Sequence, residues 1–292
     1  MAQEVRKKPE WLKVRAFRDK GYENIRKLLR DKGLHTVCQE ALCPNIGECF
    51  RSGTATFLIL GDTCTRSCTF CNVSSESPCG LDVEEPRRLL SAVKAMNLQY
   101  VVITSVTRDD LSDGGASVYA ESIRLIKDFN NHIKVETLIP DFQGDYEALK
   151  TVLDAGPDVL NHNIETVARL YPEVRPQADY RRSLELLKRV SDYSPSIPPK
   201  SGLMLGLGEE IEEVKQALRD LREHNCRMLT VGQYLAPSQK HHPVVKYYHP
   251  DEFKEIEQYA YEIGFDSAAC APLVRSSYHA ESQSASMRKD ES

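Results

Sequence analysis

The sequence predicts an α/β fold on a mostly parallel sheet, and three features carry that expectation. From Thr54 onward, short β-rich runs alternate with longer segments of helical period, the signature of repeated βα units. The β-rich runs are almost continuously apolar, as strands covered on both faces are. The 292 residues suffice for one large domain, and ~250 residues is ordinary for a single α/β barrel.

Taken in order, the predicted strands are Thr56–Leu60, Tyr100–Ser105, Ile133–Leu138, Val159–Asn163, Gly202–Leu207 and Met228–Tyr234, with a short extra strand at Asp266–Ala269. Between them, apolar residues recur at helical spacing over Pro86–Met96, Ala116–Phe129, Asp145–Ala155, Tyr180–Ser191, Ile211–His224 and Pro250–Ile263. The Pro-rich stretch Ser194–Lys200 reads as a loop. Six such units form either an open doubly wound sheet or an incomplete barrel, and periodicity does not separate the two. Both architectures put the active site at the C-terminal ends of the strands.

With 41% apolar and 28% charged residues the chain falls among soluble globular proteins. No stretch approaches the ~20 apolar residues of a membrane span, so no membrane association is expected. Residues Met1–Lys20 lack the apolar core of a signal peptide, and Glu4, Glu10 and Asp19 break a transit-peptide pattern, so a cytoplasmic location is expected. A net charge of -5 gives no sign of nucleic-acid binding. The first 34 residues nevertheless hold 11 Lys/Arg against 5 Asp/Glu, which suits either a solvated helical arm or an acidic partner.

Nine cysteines, an odd number, favour metal binding or catalysis over a disulfide framework. Cys64, Cys68 and Cys71 follow the first predicted strand in a C-x3-C-x2-C loop. A four-iron cubane takes one thiolate per iron, so three cysteines leave one iron with a position for another ligand. A zinc tetrahedron closed by Cys79, in a protein-interaction module, is the alternative, although its usual paired C-x2–4-C form is absent. Cys38, Cys43 and Cys49 form a second array, C-x4-C-x5-C, upstream. Cys79, Cys226 and Cys270 stand alone and carry no assigned chemistry.

The cysteine loop, with Phe70 before its last cysteine, resembles that of the radical S-adenosylmethionine (SAM) superfamily. The upstream array narrows the resemblance to the lipoyl synthase family, together with Lys8–Lys13, Arg108–Ala116, Asn161–Thr166, Gln233–Ser238 and the Arg275-Ser276-Ser277-Tyr278 sequence. The likeness runs from about Lys8 to His279. Methylthiotransferases and biotin synthase-like proteins are the nearer competitors within the superfamily.

The resemblance implies a partial (β/α)6 TIM-type barrel over residues 54–271. An N-terminal extension, 1–53, would carry the auxiliary cluster ligands, and a C-terminal tail, 272–292, would supply a serine ligand, the two extensions covering the open mouth. It implies two 4Fe-4S clusters and SAM as cofactors. Cys64, Cys68 and Cys71 would hold the cluster that cleaves SAM. Cys38, Cys43, Cys49 and Ser277 would hold the cluster that donates sulfur and is consumed, with Ser277 so taking part in the chemistry. The reaction would place sulfur at C6 and C8 of an octanoyl chain on a carrier lysine. Partners would be octanoylated domains of 2-oxoacid dehydrogenase E2 subunits and the glycine cleavage H protein, with ferredoxin or flavodoxin as electron donor. Around SAM the resemblance places Phe70 and the backbone of Gly114 and Gly115, while Asn163 and Glu165, at the end of the fourth strand, have the hydrogen-bonding groups a ribose needs. The superfamily's next residue after these glycines is often Glu, and here it is Ala116. Arg175 would meet a carboxylate or make a surface pair, Gly202–Glu209 would line the adenine, and His241 and His242 read as loop residues.

Overall fold

The computed structural model describes residues 8–13, 20–40, 45–46, 56–277 and 280–286, with the backbone alone for residues 20–22, 38, 285 and 286. Cys43, Cys49 and Tyr278 lie outside the described residues. One eight-stranded sheet follows chain order, each strand bonded to the next. His35–Thr36 (β1) runs antiparallel to Thr56–Ile59 (β2). Tyr100–Ser105 (β3), Lys134–Leu138 (β4), Val159–Asn161 (β5), Pro199–Leu205 (β6), Met228–Gln233 (β7) and Ser267–Cys270 (β8) continue in parallel.

Helices fall between parallel strands because a parallel connection has to cross back over the sheet. Glu85–Met96 (the first crossover), Ala116–Phe129, Tyr146–Asp154, Tyr180–Tyr193, Ile211–Glu223 and Pro250–Glu262 make those crossovers. Their starts are fixed locally. Asp145 accepts from the Glu147 and Ala148 amides, Asp179 from Arg182, and Glu210 with Glu213 closes a reciprocal cap. The apolar faces form two buried clusters, one mainly under β2–β5 and one mainly under β6–β8.

Outside the repeat, Lys20–Asp31 and Val37–Glu40 are helical on the N-terminal side, and Tyr171–Val174 is a short helix after β5. The tail contains a further helix, Ala280–Ser286, which no sequence pattern announced. Ala280 packs with Tyr100 and Val102 of β3, while Gln283 Nε2 donates to the Leu229 carbonyl of β7 at 2.9 Å. The tail helix therefore lies between two strands from opposite halves of the sheet. Among the described residues β8 pairs only with β7, which leaves the barrel open along that seam.

Strand edges differ from expectation in informative places. β2 stops at Ile59 because Leu60 takes φ +68°. β6 begins at Pro199, so the last two residues of the expected Ser194–Lys200 loop are strand. Proline is tolerated at the first strand position, where no ladder donor is lost. Lys200 is fully buried because its Nζ meets Glu136 at 3.0 Å inside the sheet. Among the described residues no helix is long and apolar enough to cross a membrane.

Candidate active site

Beyond β2 the backbone turns through two consecutive left-handed residues, Leu60 and Gly61, and enters the cysteine loop. The Cys64 amide donates to Ser74 O at 2.7 Å and closes the loop at its base. Inside it, Cys71 N donates to Cys68 O at 3.0 Å. Cys64 Sγ accepts amide hydrogens from Arg66 at 3.4 Å and Thr107 at 3.3 Å.

Loops after four other strands grip this segment. Arg66 donates to both Asp109 oxygens, at 2.6 and 2.9 Å, and to buried Asp141 at 2.6 Å. Thr65 N reaches Thr107 O at 2.9 Å, Thr69 N reaches Val174 O at 3.0 Å, and Ser67 N reaches Gln177 at 2.7 Å. The amide of His242 donates to Thr69 O at 2.9 Å, and His241 Nε2 lies 3.1 Å from Cys71 O. The loop is thus held at the C-terminal edge of the sheet, where a parallel α/β fold puts its chemistry.

Burial raises the Cys68 thiol against the pull of the Arg175 charge, and it pushes the Cys71 thiol up to about 12. Burial thus disfavours the bare thiolates of Cys68 and Cys71, and a bound cation would stabilise them. Among the described residues no three His, Cys, Asp or Glu side chains converge on one point. Three thiols on one eight-residue loop suit a cubane, which gives each thiolate its own iron. The donor set therefore fits a three-thiolate cubane.

Around the loop the remaining expected residues are distributed unevenly. Asn163 is buried, and its Nδ2 donates to Glu165 at 3.1 Å and to Ser276 Oγ at 2.7 Å. Its Oδ1 is buried without a partner, which suits a hydrogen-bond donor on a bound ligand. Glu165 holds φ +64°, and burial raises its carboxyl despite Arg175. Strain of that kind in a non-glycine residue gathers at binding sites. Arg175 makes no surface pair. It is buried and donates to the carbonyls of Asn163 at 2.9 Å and Ile164 at 3.2 Å, and to Tyr171 Oη at 3.2 Å.

Phe70 packs partly against the second core cluster. Gly114 and Gly115 take φ +58° and +89°, and both amide hydrogens are committed, to Leu111 O at 3.1 Å and to Asp113 at 2.9 Å. A Cβ on Gly115 would lie 2.2 Å from Leu60 Cδ1. These glycines therefore start a helix and admit Leu60; the Gly115 carbonyl takes the Val118 and Tyr119 amides at 3.1 and 3.4 Å, which leaves the Gly114 carbonyl to meet a ligand. Farther along, Glu209 takes the Gly206 and Leu207 amides at 2.6 and 2.9 Å, so those groups are not open to an adenine.

The tail crosses β7 at Gly232, where a Cβ would sit 2.1 Å from Val274 O. Gln233 N donates to Pro272 O at 3.2 Å, and Asn45 of the N-terminal extension donates to Leu273 O at 2.7 Å. Ser277 Oγ then accepts from Thr56 at 2.7 Å. The antiparallel pairs His35–Leu58 and Thr36–Phe57 run on toward Thr56, so the helix carrying Cys38 starts beside the residue that bonds Ser277. Cys226 and Cys270 are buried away from this chemistry, and Cys79 is exposed.

Arg66, His241 and Thr56 touch or adjoin residues expected to bear clusters, yet the sequence did not single them out for that role. The only available signal was their adjacency to motifs: Arg66 lies inside C-x3-C, and His241 follows Gln233–Ser238 by three residues.

A three-thiolate loop at the strand ends of an open parallel barrel defines the radical SAM class, and residues 58–221 match the family model described as the Radical SAM superfamily. Solved structures agree in fold: HydG, a maturase of the FeFe hydrogenase, has a TM-score of 0.58 at 16% identity over 91% of this chain and 69% of its own. Methylornithine synthase has a TM-score of 0.51 at 16% identity, over 77% and 67%. The chain is 56% identical to a lipoyl synthase of Hahella chejuensis over 96% of its length and 85% of the relative's. It is 57% identical to that of Caldicellulosiruptor saccharolyticus, over 94% and 96%. The chain belongs to the lipoyl synthase family.

Proposed function

We infer that this chain inserts two sulfur atoms, at C6 and C8, into an octanoyl group amide-linked to a lysine of a lipoyl carrier domain. The observation that carries the site reading is the return of the tail, which sets Ser277 against Thr56 beside the start of the Cys38 helix. When bound, one 4Fe-4S cluster supplies an electron, SAM the hydrogen-abstracting group, and the auxiliary 4Fe-4S cluster the sulfur.

Cys64, Cys68 and Cys71 hold the first cluster, while Arg66, His241 and the surrounding main chain fix their loop. Asn163 and Glu165 orient SAM by hydrogen bonds, with Phe70 beside the loop, the Gly114 carbonyl as a backbone acceptor and Gly115 shaping the turn that presents it. Arg175 stiffens the Asn163–Glu165 turn from below and lends positive charge to the mouth. Cys38, Cys43, Cys49 and Ser277 hold the sulfur-donating cluster. A serine oxygen is a harder ligand than a thiolate and leaves iron more readily, which suits a cluster that has to come apart. Residues 1–53 and 272–292 close over the barrel of residues 54–271, and that closure keeps water from a reactive carbon centre.

The carriers are 2-oxoacid dehydrogenase E2 subunits and the glycine cleavage H protein, the reductant is ferredoxin or flavodoxin, and the location is the cytoplasm. The charged composition and the basic N-terminal extension support these assignments. The test is an anaerobic reaction of reconstituted protein with SAM, dithionite and an octanoyl-lysine peptide. The peptide should gain two sulfurs by mass. Methyl transfer, an unchanged peptide, or a colourless zinc protein without acid-labile sulfide refutes the reading.

A further inference from the structure

Ser276 and Ser277 are neighbours in the tail turn, yet their hydroxyls bond opposite sides of the barrel. Ser277 Oγ takes the Thr56 hydroxyl at 2.7 Å, in β2. Ser276 Oγ takes Asn163 Nδ2 at 2.7 Å, just beyond β5. The two amide hydrogens of Asn163 go to Glu165 and Ser276, and its Oδ1 remains buried and unpaired. A buried carbonyl oxygen left this way is unfavourable until a donor reaches it. A ligand hydroxyl or ammonium on Oδ1 would fix the amide plane, and the same plane sets the direction in which Nδ2 meets Ser276.

We propose that Ser276 is a positioning residue that couples occupancy of the SAM pocket, through Asn163, to the seating of Ser277 at the auxiliary cluster. The proposal rests on the reading of Asn163 as a SAM contact and of Ser277 as a cluster ligand. The arrangement gives the enzyme order: with SAM in place the amide is saturated, the turn is pinned from both sides, and the serine oxygen is held on the auxiliary side. By reciprocity, whatever holds the turn also tightens SAM binding by the same factor.

The test measures SAM dissociation constants by equilibrium dialysis on anaerobic protein carrying both clusters, with iron and sulfide contents matched. It compares the parent with Asn163→Ala, Ser276→Ala, Ser276→Thr and the double alanine variant. A second readout is the magnetic resonance spectrum of the reduced auxiliary cluster with and without SAM. Asn163→Ala should weaken SAM about tenfold and Ser276→Ala about fivefold, the range of ordinary coupling energies. The double variant should bind no worse than Asn163→Ala, and Ser276→Thr, which keeps the hydroxyl, should recover the parent value. The auxiliary spectrum should respond to SAM in the parent and in Ser276→Thr, and not in Ser276→Ala. If Asn163→Ala weakens SAM while Ser276→Ala binds and responds as the parent does, the coupling is wrong and the pocket stands. If neither variant alters SAM affinity, the pocket assignment falls and the coupling with it.

Discussion

Arg66 sits between two cluster cysteines with its side chain almost entirely removed from water, and only its carboxylate partners make that tenable. Burial opposes ionisation of Asp141, yet the Arg66 hydrogen bonds and charge overcome it and hold the carboxyl at about 2. The ordinary value is near 4, so this contribution is complete above about pH 4 and is lost as pH falls toward 2. Removing the cation leaves Asp141 buried with the Gln143 amide and the part-exposed Arg182 as its remaining hydrogen-bond partners. Arg66→Met should therefore destabilise the fold by about 3 kcal/mol in denaturant unfolding and lower the iron retained by the cysteine loop. His162 acts in the same direction over a higher pH range, although it is the neutral form that burial favours there. Burial pushes it down to about 4, and it stays neutral between Ile139 O and Ser183 Oγ. The unfolded chain binds this proton near pH 6.5, so stability declines as pH drops from 6.5 toward 4. Thermal unfolding of His162→Gln should show a flatter pH dependence between pH 7 and 5 than the parent; an unchanged slope would assign the effect to other groups.

Among the elements, the tail segment depends most on its surroundings. Its helix has only seven residues, too short to be stable alone, and it is held by Tyr100, Val102 and the Leu229 carbonyl. Deleting residues 280–292 should leave the cysteine loop intact and loosen Ser277. Iron would then fall from about eight per chain toward about four, with the SAM-cleaving cluster retained. Iron and sulfide analysis with SAM cleavage in the absence of peptide checks this. Gly232→Ala acts on the same segment from beneath, since its Cβ would meet Val274 O at 2.1 Å. Backbone has to move there, and sulfur insertion should fall more than tenfold while unfolding of the main sheet shifts little, because the contact is to the tail.

At the scale of the whole molecule, the open seam is offset by a charged floor. Lys200 of β6, Glu136 of β4, Tyr100 of β3 and Asn161 of β5 meet in one buried hydrogen-bonded group. Lys200→Met leaves Glu136 without its counter-ion and should cost about 3–5 kcal/mol, whereas removing both charges together should cost much less. A double-mutant cycle by chemical unfolding would separate these outcomes.

The sequence by itself determined the alternation of strands and helices, because continuous apolar runs and stripes of period 3.6 record which faces are buried. It also made the cysteine loop legible, because the three cysteines expected as ligands lie within eight residues. Tyr100–Ser105 and Ala116–Phe129 have the bounds their patterns gave. Tertiary structure alone decided the rest. Lys200 is strand because its backbone pairs with Asn161 and Met228, its side chain found Glu136 across 64 residues, and Ser277 found Thr56 across 221 residues. His241 reached Cys71 across 170 residues. Such pairs leave no periodic trace, since a hydrogen bond depends on where two atoms meet and not on how far apart they stand in the chain.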